Sequence, residues 1–176
     1  MSELWVFGYG SLIWRPGFSY LERRVARLIG AHRALCVYSW GHRGTPDRPG
    51  LVLGLDLGGT CRGVAFRVAA DERENVVAYL REREQVTSVY LERMREIRFA
   101  DGSAGRALTY LVDRSHGQYA GKLDEETQLR FVADAVGQSG ANRDYVIATA
   151  AHLAELGMPD RLLERLSERL RELQAA

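Results

Sequence analysis

Apolar and polar positions alternate over short runs in the first two thirds of the chain, and glycine or proline separates many of the runs. Six stretches rich in β-branched and aromatic residues indicate strands: 4–9, 25–40 (one or two strands), 51–57, 62–68, 90–99 and 106–113. Gly58-Gly59 and Asp101-Gly102 predict tight turns, the first of them a hairpin between 51–57 and 62–68. The glycines and proline within 10–17 predict a loop after the first strand.

Helical spacing dominates the last third of the chain. One early helix is predicted from Asp71, as its N-cap, to about Gln85, and three more over 124–136, 142–156 and 160–173. This order is not the alternating βαβ pattern, so it predicts an α+β fold: a curled sheet or small barrel with helices packed on it, in one domain of residues 1–176. The last helix carries an apolar stripe that fits core packing or a partner helix: Leu163, Leu166, Leu170 and Leu173.

Composition narrows the classes of protein. The 176 residues are 46% hydrophobic and 27% charged, with a net charge of +1 and no basic stripe, so nucleic acid is not an expected partner. No signal sequence or membrane-spanning run is visible, and we expect a soluble, cytoplasmic protein. Cys36 and Cys61 form no paired motif, which favours small core residues in a reducing compartment.

Familiar cofactor motifs fail on inspection. Gly8-Tyr9-Gly10 begins like a dinucleotide-binding loop, but Ile13 stands where the third glycine should be. Residues 56–60 resemble the phosphate-binding hairpin of sugar kinases, yet the chain is too short for the two lobes of such a kinase. The four histidines lack the spacing of metal ligands: His32, His42, His116 and His152. No metal and no cofactor are predicted.

One acidic residue stands on the apolar face of its helix. Val77, Leu80 and Glu84 share one stripe of the early helix, since they lie at i, i+3 and i+7. A carboxylate on such a face loses hydration, so its pKa rises toward the value that a general base needs near neutral pH. A Glu paired with Arg81 or Arg83 at the helix end explains the pattern equally well.

The segment Phe7-Gly8-Tyr9-Gly10-Ser11-Leu12-Ile13-Trp14-Arg15-Pro16 resembles the opening of the ChaC family, the glutathione-specific γ-glutamylcyclotransferases. Its Tyr-Gly-Ser-Leu core is typical of the wider γ-glutamylcyclotransferase superfamily, and the Trp-Arg-Pro that follows points to ChaC. Five further segments are similar in the same order: His42-Arg43-Gly44-Thr45 with Pro49-Gly50, Gly63-Val64-Ala65, Arg83-Glu84 with Tyr90, Gly117-Gln118-Tyr119-Ala120-Gly121, and Ser139-Gly140 with Asn142 and Tyr145. The stretch Thr87-Ser88-Val89 departs from the glycines often found there.

The resemblance implies a small mixed β-barrel with surrounding helices and a lyase activity that needs no cofactor. The small-molecule substrate would be glutathione, cleaved to 5-oxoproline and Cys-Gly, because its own α-amine attacks its γ-carbonyl. Glu84 would be the acid/base that moves the protons. Neither a membrane nor an obligate protein partner is expected.

The resemblance also suggests a substrate-binding set. Backbone N–H groups of the Tyr-Gly-Ser-Leu loop would stabilise the oxyanion, Arg43 would bind the α-carboxylate, and Tyr9 and Tyr119 would line or close the pocket. The predicted substrate-binding residues are Tyr9, Gly10, Ser11, Leu12, Arg43 and Tyr119. Two alternatives stay open: a cyclotransferase for other γ-glutamyl amines, and a binding module without activity.

Overall fold

The computed structural model describes residues 3–84 and 88–176. These residues form two compact units. The first comprises the described residues up to Ala34 and those between Gly54 and His116, and the second comprises Leu35–Leu53 and Gly117–Ala176. The expected single domain of residues 1–176 stays a prediction.

The chain contains strands first and helices later, as the hydrophobic pattern indicates. The strands are β1 Leu4–Gly8, β2 Glu22–Ser39, β3 Gly50–Val68, β4 Tyr90–Phe99, β5 Ala104–Val112, β6 Val136–Gly137 and β7 Gly140–Ala141. The helices are α1 Ser11–Trp14, α2 Arg73–Glu84, α3 Glu125–Asp134, α4 Asn142–Glu155 and α5 Arg161–Ala175, with a 3₁₀ turn at Ala70–Glu72.

A closed five-stranded barrel organises the first unit, in the order β1-β3-β2-β4-β5 with β5 also pairing with β3. Strand β1 lies antiparallel to β3 and parallel to β5, while β4 is antiparallel to both β2 and β5. Small and large apolar side chains fill the interior, among them Phe7, Leu28, Leu55 and Ile97. The α+β prediction with a small mixed barrel is confirmed.

The predicted hairpin at Gly58-Gly59 is wrong. Strand β3 runs through both glycines without turning back, and its flanking halves pair with other strands: Leu55 lies beside Leu111 of β5, and Val68 beside Leu4 of β1. The two glycines have φ of 96° and 71°, a left-handed backbone that residues with a Cβ rarely adopt. They change the local course of one long strand, which a two-glycine pattern alone does not distinguish from a hairpin.

Two further boundaries differ from the sequence prediction. The expected loop after β1 contains the one-turn helix α1, because Leu12 and Ile13 have an apolar core to enter and Pro16 follows only after the turn is complete. Asp71 lies inside the 3₁₀ turn before α2 and does not cap the helix. The end of the predicted helix at Gln85 falls outside the described residues.

Helix α2 packs on the barrel through a second apolar cluster. Val76 and Leu80 are fully buried, together with Leu12 of α1 and residues of β1 and β5. Val77 is only half-buried beside this cluster. The helix therefore docks through residues spaced by four, Val76 and Leu80, and the next position in that series is Glu84.

Three helices form most of the second unit. Asp124 accepts the N–H of Thr127 at 2.8 Å and caps α3, and Asp160 accepts the N–H of Leu163 at 3.1 Å and caps α5. Three leucines of the α5 stripe are buried, Leu163, Leu166 and Leu170, whereas Leu173 is 53% exposed. Core packing of this stripe is confirmed.

The two cysteines also lie where the sequence placed them. Cys36 and Cys61 are not joined in a disulfide, and both are buried. In the described part of the chain, no helix is long and apolar enough to cross a membrane.

Candidate active site

The Tyr-Gly-Ser-Leu loop leaves the barrel at the end of β1 and turns at once into α1. Tyr9 is half-buried with its ring against the barrel core, and its carbonyl oxygen accepts a hydrogen bond from Nε of Arg33 at 2.6 Å. Gly10 precedes α1, and its carbonyl oxygen accepts the N–H of Ile13 at 2.9 Å. The turn is thus anchored to β2 on one side and closed by its own backbone on the other.

Ser11 and Leu12 begin α1 and face different surroundings. The Leu12 side chain is buried against α2, so the group it can offer a ligand is its backbone. Ser11 is exposed, and its Oγ accepts a hydrogen bond from Nη2 of Arg83 at 3.1 Å. The N–H groups of both residues lie in the first turn, where a helix does not satisfy them itself.

Glu84 is the last residue of α2 and continues its buried face. Its side chain is only 20% exposed. Burial raises the pKa of the Glu84 carboxyl above its ordinary value of 4.5, and the charge of Arg83 opposes the rise. The pKa rise expected from the sequence is therefore confirmed, although the stripe that leads to Glu84 consists of Val76 and Leu80, and Val77 is only half-buried.

Arg83 connects Glu84 to the Tyr-Gly-Ser-Leu loop. Its Nε lies 3.7 Å from Oε1 of Glu84, while its Nη2 reaches Ser11. The sequence predicts Arg83 as a possible partner of Glu84 but does not reveal this link. The signal was its place within the Arg83-Glu84 segment, directly beside the acid.

A second carboxylate lies beside Arg81 of α2. Glu92 of β4 accepts hydrogen bonds from Nε and Nη2 of Arg81 at 2.9 and 3.0 Å, and from the Tyr110 hydroxyl at 3.0 Å. These bonds hold the pKa of Glu92 below its usual value, the bond from Arg81 contributing most. Burial and then the bond to Glu92 raise the pKa of Tyr110, and the charge of Glu84 contributes to the same rise.

The second unit contains three of the family-like segments, and it brings two of them together. Asn142, at the start of α4, accepts the N–H of Leu51 at 2.8 Å and donates to its carbonyl oxygen at 2.9 Å. The Tyr145 hydroxyl accepts the N–H of Leu53 at 3.0 Å. Nδ1 of His42 lies 3.1 Å from Oγ of Ser139. The His-Arg-Gly loop is thus fastened to the start of α4.

Arg43 lies within this fastening. Its Nη1 donates to the carbonyl oxygen of Ala141 at 3.3 Å, and its guanidinium lies over the ring of Tyr145 with 5.5 Å to the centroid. A Cβ on Gly50 would collide with the carbonyl oxygen of Arg43, so only glycine fits there. These contacts give Arg43 an internal structural role, and its binding of a substrate carboxylate stays a prediction.

Tyr119 pairs in an isolated bridge with Val37 of β2 and is half-buried. The flanking backbone completes the pairing: Tyr38 N–H donates to Gln118 at 2.8 Å, and Ala120 N–H donates to Cys36 at 2.7 Å. Arg43 and Tyr119 both belong to the second unit, whereas Glu84 and the Tyr-Gly-Ser-Leu loop belong to the first.

Comparison with known proteins adds the family. The family model described as "ChaC-like protein" matches residues 4–173. The chain is 33% identical over 172 residues to the glutathione-specific γ-glutamylcyclotransferase of Escherichia coli, covering 98% of this chain and 74% of the relative. It is 34% identical over 153 residues to human glutathione-specific γ-glutamylcyclotransferase 1, covering 84% of this chain and 68% of the relative.

The fold agrees with a solved structure. A yeast γ-glutamylcyclotransferase specific to glutathione superposes with a TM-score of 0.86, covering 98% of this chain and 97% of that one at 22% identity. The barrel, the Tyr-Gly-Ser-Leu loop and the buried Glu84 thus occur in a chain whose sequence matches the family over nearly its whole length. The chain belongs to the ChaC-like protein family.

Proposed function

We propose that this chain is a glutathione-specific γ-glutamylcyclotransferase that releases 5-oxoproline and Cys-Gly. The observation that carries the proposal is Glu84: a carboxyl with a raised pKa, linked through Arg83 to the Tyr-Gly-Ser-Leu loop. The bacterial and human relatives named for this activity support glutathione as the substrate.

Glu84 acts as the base in the first step. An α-ammonium group has a pKa of about 8 and must lose a proton before it can attack. A carboxylate whose pKa is raised accepts that proton more readily than an ordinary one, because proton transfer improves as the two pKa values approach each other. The amine nitrogen then forms a bond to the γ-carbonyl carbon and closes a five-membered ring.

The tetrahedral intermediate carries negative charge on the former carbonyl oxygen. Backbone N–H groups of Ser11 and Leu12, at the start of α1, are the proposed donors to that oxygen. Collapse of the intermediate breaks the bond to the Cys-Gly nitrogen. Protonated Glu84 returns its proton to this leaving nitrogen, and the ring nitrogen passes its second proton to the released amine. The products are then a neutral lactam and a Cys-Gly ammonium, and the enzyme ends in the ionisation state in which it began.

The substrate supplies its own nucleophile, so the protein's main task is orientation. Holding a flexible γ-glutamyl chain in a ring-closing geometry contributes roughly 7–10 kcal/mol in well-oriented intramolecular reactions. Tyr9 is the proposed wall of the pocket on the barrel side. The assignment of Arg43 and Tyr119 to substrate binding is a further part of the proposal.

We also place the enzyme in the cytoplasm. Cys36 and Cys61 are reduced, and the cytosol is the compartment in which glutathione keeps thiols reduced. Cell fractionation tests this, and recovery of the protein in an envelope or secreted fraction would contradict it.

The experiment that tests the reaction is incubation of the purified protein with reduced glutathione, followed by mass spectrometry of 5-oxoproline and Cys-Gly. γ-Glu-Ala and Glu84→Gln run alongside. We expect both products from glutathione and a loss of about 10³-fold in the variant. Turnover of γ-Glu-Ala but not of glutathione would replace the substrate. No turnover of any γ-glutamyl compound would favour a binding module.

A further inference from the structure

Arg83 donates hydrogen bonds to three acceptors within one short segment. Its side chain is 20% exposed. Nη1 donates to the carbonyl oxygens of Arg15 at 2.6 Å and Pro16 at 3.2 Å. Nη2 donates to Oγ of Ser11 at 3.1 Å. A single guanidinium therefore forms hydrogen bonds at both ends of α1: to the first residue of the helix and to the two residues that follow its last turn.

Tyr79, one turn earlier on α2, takes part in the same hydrogen-bond network. Its hydroxyl accepts a hydrogen bond from Nη1 of Arg83 at 3.1 Å, and its ring packs edge-on against Phe18 with centroids 6.3 Å apart. A Cβ on Gly17 would overlap the Tyr79 hydroxyl, so the chain after Pro16 passes directly against this side chain. The last turn of α2 and the α1 segment thus form one hydrogen-bonded body.

Glu84 is attached to this body in a different way. Nε of Arg83 lies 3.7 Å from Oε1 of Glu84, which is close enough for an ion pair and too far for a hydrogen bond. Arg83 thereby gives Glu84 a neighbouring positive charge while its N–H groups bind α1. The N–H groups of Arg83 therefore leave the lone pairs of this carboxylate open to a proton.

We propose that Arg83 is a positioning residue that fixes the oxyanion-binding end of α1 relative to the carboxylate of Glu84. The inference rests on the proposed function, because it needs both groups to act on one substrate. The planar fork of arginine is required, since Ser11 Oγ and the carbonyl oxygens beyond α1 are held by different nitrogens of one rigid group. Lysine supplies the charge but a single nitrogen.

The positive charge of Arg83 and the geometry of its hydrogen bonds should affect the pH dependence of activity differently. Burial raises the pKa of Glu84, and the charge of Arg83 opposes that rise. Arg83 of α2 and Tyr110 of β5 are the charged and titratable groups whose interaction with Glu84 the described residues show. Tyr110 is unchanged by substitutions at Arg83. Loss of the positive charge therefore moves the pKa of Glu84 further upward, whereas loss of the fork alone does not.

The test compares Arg83→Lys and Arg83→Met with wild type, and uses Arg81→Lys and Arg81→Met as matched controls. Arg81 lies two residues earlier on α2 and is 58% exposed in its ion pair with Glu92. Each variant is assayed with glutathione for kcat, KM and the pH profile of kcat/KM, and its fold is checked by circular dichroism and thermal denaturation.

For Arg83→Lys we expect kcat to fall by about 10²-fold, the loss typical of an ångström-scale misplacement, with KM and the acidic limb of the pH profile almost unchanged. For Arg83→Met we expect a larger fall and an acidic limb shifted to higher pH. The Arg81 variants should keep wild-type kcat. If folded Arg83→Lys and Arg83→Met both retain kcat and the wild-type profile, the proposal is overturned.

Ser11→Ala supplies the decisive second variant in case the Arg83 variants do not fold. Ser11 is exposed, and the substitution removes only the acceptor for Nη2. We expect a severalfold loss of kcat with thermal stability unchanged; wild-type kcat in this variant contradicts the proposal. Wild-type protein that turns over no γ-glutamyl compound contradicts the proposed function itself, so the two failures are distinguishable.

Discussion

Glu84 and Glu92 differ in pKa although their settings look alike. Each side chain is mostly buried, 20% and 24% exposed, and each has an arginine of α2 beside it. The pKa of Glu84 is raised and that of Glu92 is lowered. Burial is the largest cause of the raised pKa of Glu84, from which Arg83 stays 3.7 Å away. The two hydrogen bonds that Arg81 donates are the largest cause of the lowered pKa of Glu92.

The comparison shows that a neighbouring cation alone does not decide the ionisation of a buried carboxylate. The balance between burial and hydrogen bonds to the charged form decides it, because such bonds replace the water that burial removes. Arg83 has such bonds to give, and directs them at Ser11 and the backbone after α1 instead. Helix α2 therefore contributes Arg81 to a stabilising ion pair with Glu92. Two residues later, Arg83 lies beside the candidate base Glu84.

The largest expected effect is on kcat, which should depend on Glu84 and not on Glu92. Glu84→Gln should lower kcat for glutathione by about 10³-fold, because amide nitrogen and oxygen do not take up the proton. Glu92→Gln, the matched control, should leave kcat almost unchanged. Steady-state assays of the two purified variants measure this. Equal losses in both would remove the functional distinction drawn between them.

The pH dependence of wild-type kcat/KM sharpens the comparison next. Glu84 must be ionised to act as the base, so activity falls by about tenfold per pH unit once the pH drops below its pKa. Because that pKa lies above 4.5, the acidic limb should lie above 4.5 as well. Deprotonation of the substrate's ammonium group sets the alkaline limb of the profile at about pH 8. An acidic limb at or below 4.5 contradicts the assignment of Glu84.

Stability should change in opposite directions in the two variants. The lowered pKa of Glu92 means that its ionised form stabilises the fold above about pH 4.3 and that this contribution is lost as the pH falls through the folded-state pKa. The raised pKa of Glu84 means that its ionised form destabilises the fold above its folded-state pKa, and that this penalty disappears below the unfolded value.

At pH 8, Glu92→Gln should therefore lower Tm by about 2–4 °C, the effect of about 1 kcal/mol for an exposed bidentate pair. Glu84→Gln should keep Tm or raise it. Differential scanning calorimetry at pH 8 and pH 4 gives both signs, and a lower Tm for Glu84→Gln at pH 8 would refute the stability argument.

The smallest effect concerns the hydroxyl beside Glu92. Tyr110→Phe removes one donor to Glu92 and leaves the ring in the apolar cluster. We expect the free energy of unfolding to fall by about 0.5 kcal/mol, since the hydrogen bonds from Arg81 remain. The pKa of Glu92, followed by carboxyl-carbon NMR, should rise toward its usual value. An unchanged pKa would show that Arg81 alone holds Glu92 ionised.

The sequence predicted the barrel, the helical last third and the pKa rise of Glu84 because each rests on local periodicity or on one residue breaking it. Glu84 was identified as an acid at a position where Val77 and Leu80 predict an apolar residue, and the structure replaces Val77 by Val76 in that stripe. Periodicity is a property of a single helix or strand, so it can be read from the sequence without knowing which other elements pack against that helix or strand.

The features that the sequence did not reveal depend on residues distant in the chain. Gly58-Gly59 fits a hairpin equally well until β3 is seen to pair with β1 and β5. The bond from Arg83 to Ser11 joins residues 72 positions apart. No spacing rule predicts which of several arginines on α2 turns toward α1 and which turns toward Glu92.

Burial of both cysteines has a chemical consequence for a protein that works on a thiol. Thiol–disulfide exchange requires a thiolate to reach a disulfide sulfur, and the Sγ atoms of Cys36 and Cys61 lie in side chains only 1% and 3% exposed. The native protein is thereby resistant to S-glutathionylation by oxidised glutathione, the very pool that accumulates when its substrate is consumed by oxidation. A thiol-reactive dye should label neither cysteine in the native state and both after unfolding.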